Sequence, residues 1–277
     1  MVDSVNTNAG ALTGLQFLGQ TNRSNAATRN QISSGLRISG ARDGAATFAI
    51  AQQQRAEGAG LRAVGDSVAR GQSTADVALA AGGEVSSLLL QLRETAVAAS
   101  DEGLDDASRQ ALNEQFTVLR DQITTTVNGA EFNGTNPLAP GGGDIAAITN
   151  ADGTETLSVS NQDFSLGGGT VSLGAGQEIA TAADAQSAVA AIDASLSAVN
   201  ASLSSIGAGA ERLEQVETFN RTLADTNEVG IGNLVDANLA EADAELEAGQ
   251  VREQLGVLAL NIANRQPQSI LSLFNNG

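Results

Sequence analysis

Residues 238–274 read NLAEADAELEAGQVREQLGVLALNIANRQPQSILSLF. Ala244, Ala248, Val251, Leu255, Leu258 and Ile262 follow at alternating steps of four and three, which lines up one stripe along a helix. Acidic residues crowd the first half of the stretch, where they suit the positive end of a helix dipole. A single helix with one open apolar seam is marginal in water. The stretch therefore needs a partner, and the expected one lies at the opposite end of the chain, so that the two termini pair.

Outward from this stretch, the composition supports long thin helices. The chain has 277 residues, no Cys, His, Trp or Tyr, and no Lys among its 14 basic residues. Seven Phe are its only aromatics, few for a compact core built on large side chains. Ala, Leu, Val and Gly at heptad spacing suit helix-on-helix packing. No run approaches the roughly 18 uninterrupted apolar residues of a membrane span. The N-terminus lacks the basic flank and apolar run of a cleavable secretory signal. The net charge of −18 argues against nucleic acid, which requires phosphate neutralisation. Residues 1–70 are the exception, with seven Arg against Asp3, Asp43, Glu57 and Asp66, and attraction between the basic start and the acidic end is expected to contribute to their pairing.

Residues 3–36 give a polar helix marked by Val5, Leu12, Leu15, Leu18, Ile32 and Leu36. Gly35, Gly40 and Gly44 then predict a bend. From Val64 to Ala99 the small and apolar residues alternate steps of four and three without a slip, and Gly71 and Gly82 on that seam point to close helix approach. A stop near Ser100–Gly103 and a new helix from Asp105–Asp106, with Leu112, Phe116, Leu119, Ile123 and Val127 on one face, read as an antiparallel hairpin.

Residues 131–182 change character, holding ten of the 31 glycines together with Pro137 and Pro140. Thr156–Ser160 and Thr170–Leu173, bounded by NADG and GGG, read as β-hairpins in an insertion at the far tip, where a change such as Gly168→Ser is expected to be tolerated. Its Asp and Gly residues do not form the ladder of a calcium loop. Thr181 and Asp184 form a capping box, followed by a helical seam from Val189 to Leu213 that Leu223 extends. Over residues 183–226 this is a rod of about 65 Å. Gly230 and Gly232 predict a break at 227–233 before the terminal helix.

The fold expected is mainly α: a long antiparallel coiled coil or bundle with paired terminal helices and a small β-hairpin insertion. SVNTNAGAL (4–12), ISSGLRISGARDGAATFAIA (32–51), RETAVAAS (93–100), EFNG (131–134) and QLGVLALNIANRQPQSILSLF (254–274) resemble the bacterial flagellins, in the family's order. The short middle resembles a minimal member. GNLVD at 232–236 departs from the Arg-rich run common in relatives.

The resemblance implies a filament subunit that polymerises through its terminal helices. Residues 1–43 with 236–277 would line the filament core, 44–130 with 183–235 would form an outer rod, and 131–182 a surface insertion. The polymerisation seam would comprise Leu12, Leu15, Leu18, Leu36, Val251, Leu255, Leu258, Ile262, Leu271 and Phe274. Copies of the chain itself would be the main partner, with the export apparatus, an export chaperone, and cap and hook-junction proteins as further ones. The chain would be secreted into the extracellular flagellum. A hook–filament junction protein is the alternative within the same resemblance. A receptor-facing patch is implied at Gln91, Arg93, Glu94, Thr95 and Gln115, where stimulatory relatives carry Arg, Leu and Glu in place of Gln91, Thr95 and Gln115.

An enzyme is not expected, because the commonest bases and nucleophiles are missing. An acid pair could still serve a glycosidase, but Asp144, Asp152, Glu155 and Asp163 lie in turn-like stretches without an apolar pocket. No cofactor and no metal site is expected. A free coiled-coil adhesion module fits poorly with the polar, glycine-interrupted ends.

Overall fold

The structure is a computed structural model and describes the backbone of residues 7–274 and the side chains of residues 7–265. Among the described residues five helices and one two-stranded sheet follow in order: α1 (Ala9–Ser34), α2 (Ala41–Ala99), α3 (Asp106–Gly129), β1 (Ile145–Ile148), β2 (Thr156–Val159), α4 (Ala182–Val235) and α5 (Leu239–Phe274). The chain divides into two compact units, Met1–Ala56 with Asn227–Gly277, and Glu57–Thr226.

The second unit holds the main core. Every seam position between Val64 and Ala99 is buried. On α4, Ala185, Ala188, Ile192, Val199, Ile206 and Leu213 are buried with them. The two helices run antiparallel: Asn220 Nδ2 donates to the Leu61 carbonyl at 2.9 Å, Gln72 Nε2 to Glu217 at 2.9 Å, and Arg93 Nε to Asp193 at 2.6 Å. An added Cβ at Gly82 would lie 2.6 Å from Leu203 Cδ2 and 3.1 Å from Phe164 Cε2, so this glycine does permit a close approach. α2 and α4 are long and apolar enough to cross a membrane, with windows of mean hydropathy 1.2 and 1.3, but their apolar seams are spent within this core.

The α2–α3 corner is closed by a buried arginine. The Arg109 guanidinium donates to the carbonyls of Ala99, Asp101 and Leu104, so the end of α2 keeps partners for its free acceptors. The carboxylate of Asp105 caps α3, accepting from Ser108 N at 2.9 Å and Ser108 Oγ at 2.7 Å. Phe116, Ile123 and Val127 bury the face expected of that helix, while Leu112 and Leu119 pack at its margin.

The insertion departs from expectation. Thr156–Val159 is a strand, but its partner is Ile145–Ile148, in the antiparallel register Ile145↔Val159 to Ile148↔Thr156. The turn between them is the expected one: Gly153 has φ +70°, and Asn150 Oδ1 accepts from Thr154 N and Glu155 N. Thr170–Leu173 forms no second hairpin; Val171 makes a single bridge to Leu166. Nor does the segment sit at a far tip. Leu138, Ile145, Ala147, Val159, Phe164, Val171, Leu173 and Ile179 all enter the main core. Ile148 N donates to Ser67 Oγ on α2, Ile179 N to Asn113 Oδ1 on α3, and Ser172 N to Ser195 Oγ on α4. Gly168 is not open either, since a Cβ there would meet the Asp163 carboxylate at 2.7 Å, and that group already accepts from Ser165 N and Ser165 Oγ.

The first unit has much less core. The bend falls where expected: Gly35 ends α1 at φ +70°, and Gly44 leaves helical geometry at φ 176°, ψ 88°. Asp43 Oδ2 accepts from Ser39 N, Ser39 Oγ and Gly40 N, and these bonds hold its carboxyl below the ordinary range, the Ser39 hydroxyl first among them. The break expected at 227–233 is absent, because α4 continues to Val235. It ends instead against the bend: Arg37 N and Ile38 N donate to the Val235 carbonyl, Ala237 N to the Gly35 carbonyl, and Arg37 Nη2 to the Leu234 carbonyl. Ile38, Ala51 and Val235 close a small apolar cluster there with Leu36 and Phe48.

Candidate assembly surface

α1 and α5 pair antiparallel, as the sequence suggests, but by another stripe. On α5 the face toward α1 carries Ala242, Leu246, Gly249, Glu253, Gly256, Leu260 and Ala263, again at steps of four and three. On α1 the facing set is Ala11, Gly14, Leu18, Thr21, Asn25 and Thr28. A Cβ on Gly14 would lie 3.5 Å from Leu260 Cδ1, and one on Gly256 would lie 3.5 Å from Leu18 Cδ1. Asn8 caps α1 through Ala11 N and also donates to the Ala263 carbonyl at 2.8 Å. Leucine on one helix fills the space that glycine leaves on the other, so the backbones come close over small residues.

This choice leaves the larger stripe free. Val251, Leu255, Leu258 and Ile262 are 55%, 58%, 58% and 73% exposed, and Val257 is exposed beside them. On α1, Leu12, Leu15 and Phe17 also face outward. Two members of the expected seam are spent inside the chain: Leu18 lies over Gly256, and Leu36 packs at the bend with Ile38 and Val235. Leu271 and Phe274 lie outside the described side chains. A protomer thus presents a row of apolar side chains along a helix pair that buries few large ones itself. Burying such residues fully is worth about 1.5–3 kcal/mol each relative to exposure, so any partner that covered the row would gain from it.

The second sequence-derived patch is only partly a surface. Gln91, Glu94 and Gln115 are exposed, and Arg93 is held by Asp193, which keeps its guanidinium protonated above the ordinary value. Thr95 is 6% exposed, and its hydroxyl donates to the Gln91 carbonyl. It is therefore buried beside the α2 seam within the chain.

An open groove of about 720 Å³ lies between the hairpin and α4, lined by Thr149, Glu155, Thr156, Leu157, Arg212, Gln215, Val216 and Phe219. One carboxylate and one guanidinium supply its only ionisable groups. Sequence reasoning passed over Phe219, whose large exposed ring stands alone between polar neighbours.

Comparison with known proteins shows the family to which the chain belongs. The bacterial flagellin N-terminal helical region matches residues 5–140, and the bacterial flagellin C-terminal helical region matches residues 189–274. The chain belongs to the bacterial flagellin family. Flagellin FljM of Caulobacter vibrioides is 41% identical over 99% of both chains, and a flagellin of Brucella melitensis is 31% identical over 98% of this chain and 99% of its own. A crystal structure of Bacillus cereus flagellin aligns with a TM-score of 0.47 at 23% identity, covering 55% of this chain and 86% of that one. The chain is accordingly a structural subunit of the flagellar filament. The matched regions contain both terminal helices, the two elements that carry the free apolar row.

Proposed function

We propose that the outward faces of α1 and α5, Leu12 and Leu15 with Val251, Leu255, Leu258 and Ile262, are the polymerisation surface of the filament. The observation that carries this reading is the exposed row on α5, which a subunit working alone in water has no reason to keep. In this reading residues 1–43 with 236–277 line the filament core, with Leu271 and Phe274 continuing the seam. Residues 44–130 with 183–235 make the outer rod, and 131–182 pack along it as its cover. The subunit works by packing, without catalysis. It is exported to the cell exterior, and the export apparatus, its chaperone, and cap and hook-junction proteins meet the same termini before or during assembly. Deleting 264–277 tests the reading. The expected product is a soluble chain that keeps the helicity of residues 62–226 and forms no filament; normal filaments would refute it.

Recognition by an animal toll-like receptor is weak in this reading, because Gln91 and Gln115 stand where stimulatory relatives place charges. Each missing charge-assisted hydrogen bond is worth about 1.5–3 kcal/mol. Thr95 contributes nothing to that contrast, since it is buried. Gln91→Arg with Gln115→Glu should raise signalling by dissociated chain in a cell reporter assay. Parental potency equal to that of a strongly stimulatory flagellin would contradict this reading.

A further inference from the structure

The charges of the terminal helices are sorted by element. α1 carries Arg23 and Arg29 and no acid, whereas α5 carries Glu241, Asp243, Glu245 and Glu247 before its first base, Arg252. The attraction expected between the basic start and the acidic end nevertheless makes no ion pair within the chain: among the described residues, none joins α1 to α5. Arg23 is exposed, and its Nε donates to the Gly19 carbonyl of its own helix at 3.2 Å. Glu247 is exposed too, and its carboxylate has no hydrogen bond or ion pair among the described residues.

Both groups lie on the open rows. Leu12, Leu15, Gly19 and Arg23 follow along the outer face of α1 at steps of three, four and four. Read backwards, α5 presents Leu258, Leu255, Val251 and Glu247 at the same steps. Within one copy the two rows point away from each other, because the helices face one another through Gly14 and Leu260 and through Leu18 and Gly256. Between two copies laid antiparallel they match residue for residue. Leu12 meets Leu258, Leu15 meets Leu255, Val251 lies over the space at Gly19, and Arg23 meets Glu247.

That orientation is the one a filament supplies. Copies in a helical polymer follow one another by rotation and translation about one axis, so all point the same way along it. α1 and α5 run antiparallel in one copy. Where the pair lies along the axis, α1 of one copy therefore meets α5 of the next antiparallel as well. A twofold contact of α5 on α5 would instead close at two copies and leave the α1 row in water.

We propose that the α5 row of one copy docks head-to-tail on the α1 row of a second copy, with Arg23 and Glu247 as the charge pair that selects the helix and the place. This rests on the assembly reading above and names the occupant of its surface. The apolar residues supply the burial, and the charge pair supplies the choice of partner.

Charge reversal in full-length chains tests it. Arg23→Glu and Glu247→Arg each turn the pair into like charges. Each alone should need about tenfold or more the parental concentration for seeded growth, as expected from exchanging an attractive close pair for a repulsive one. Both sites are exposed, so melting curves followed by circular dichroism should match the parent. In an equimolar mixture the two variants restore opposite charges at every contact where they alternate. The mixture should grow filaments that contain both chains, at close to the parental concentration. The double variant Arg23→Glu with Glu247→Arg should do so by itself. A pair formed within one chain, or a contact of α5 on α5, gives no rescue by mixing. Parental growth of both single variants would overturn the proposal, as would a mixture that grows no better than its parts. Leu258→Asp, run alongside, separates this inference from the reading beneath it. If that variant is blocked and the mixture does not recover, the apolar row assembles but the α1 row is not its partner. If it grows at the parental rate, the assembly reading itself fails.

Discussion

At Gly209 of α4, an added Cβ would lie 2.2 Å from Val159 Cγ2, whereas at Gly207, on the same helix, it would meet nothing. Both are glycines in a helix, where alanine is intrinsically better by about 1 kcal/mol. Gly207→Ala should therefore raise the melting temperature slightly. Gly209→Ala should lower it, since overpacking a filled site costs about 1–3 kcal/mol. Thermal melts followed by circular dichroism separate the two, and equal shifts would mean that the hairpin does not pack on α4. The same reasoning corrects the tolerance expected at Gly168. A serine there displaces Asp163 from its bonds to Ser165, whereas Gly176, with open space around it, is the position that accepts serine.

At the scale of the element, period and the partner of the terminal helix were legible, and the face that meets that partner was not. The 64–99 seam, the α3 face and the Thr181–Asp184 box could be read because spacing and capping chemistry are local, and Thr181 Oγ1 does meet Asp184 at 2.6 Å. α5 misled because it carries two stripes of the same period, and hydrophobicity picks out the larger. Close packing on α1 instead uses the smaller, which contains Gly249, Gly256 and a carboxylate. The insertion misled for a related reason: its inward residues, such as Leu138, Phe164 and Ile179, are scattered singly through turns, so no period announces that they are core. The break expected at 227–233 failed because Gly230 and Gly232 weaken a helix without ending it; the chain turns only where Asp236 bridges to Leu36. Helix ends also give a pH prediction. Bonds from Ser108, its backbone N–H first and its hydroxyl second, hold the Asp105 carboxyl below the ordinary value. A depressed folded pKa gives stability that is present above the ordinary carboxylate range and lost as pH falls through the folded value. The melting temperature of the parent should therefore drop on acidification across that window, and Asp105→Asn, which still caps, should drop less.

At the scale of the molecule, the two units differ in what holds them. Glu57–Thr226 contains the long core cluster, while the buried set of the other unit is short and partly polar: Ala11, Asn25, Thr28, Ile38, Ala51, Val235, Ala242 and Gly249 among the described residues. Local opening costs least where few apolar contacts are made. Amides of residues 64–99 and 185–213 should then exchange slowest in dissociated chain, and those of α1 and α5 fastest. Polymerisation should slow the second group far more than the first. Equal protection of both groups in dissociated chain would contradict this account.

The central claim is that the outward apolar row of α5 drives polymerisation while leaving the protomer itself intact. Leu258→Asp tests it most directly. Leu258 is 58% exposed in the single chain, so the carboxylate stays in water there and the melting curve should match the parent. In a filament the same carboxylate would be buried without a partner, at a cost of several kcal/mol. Seeded growth, followed by sedimentation and electron microscopy, should yield no filament from the variant at concentrations where the parent polymerises fully. Filaments of Leu258→Asp growing at the parental rate would contradict the account.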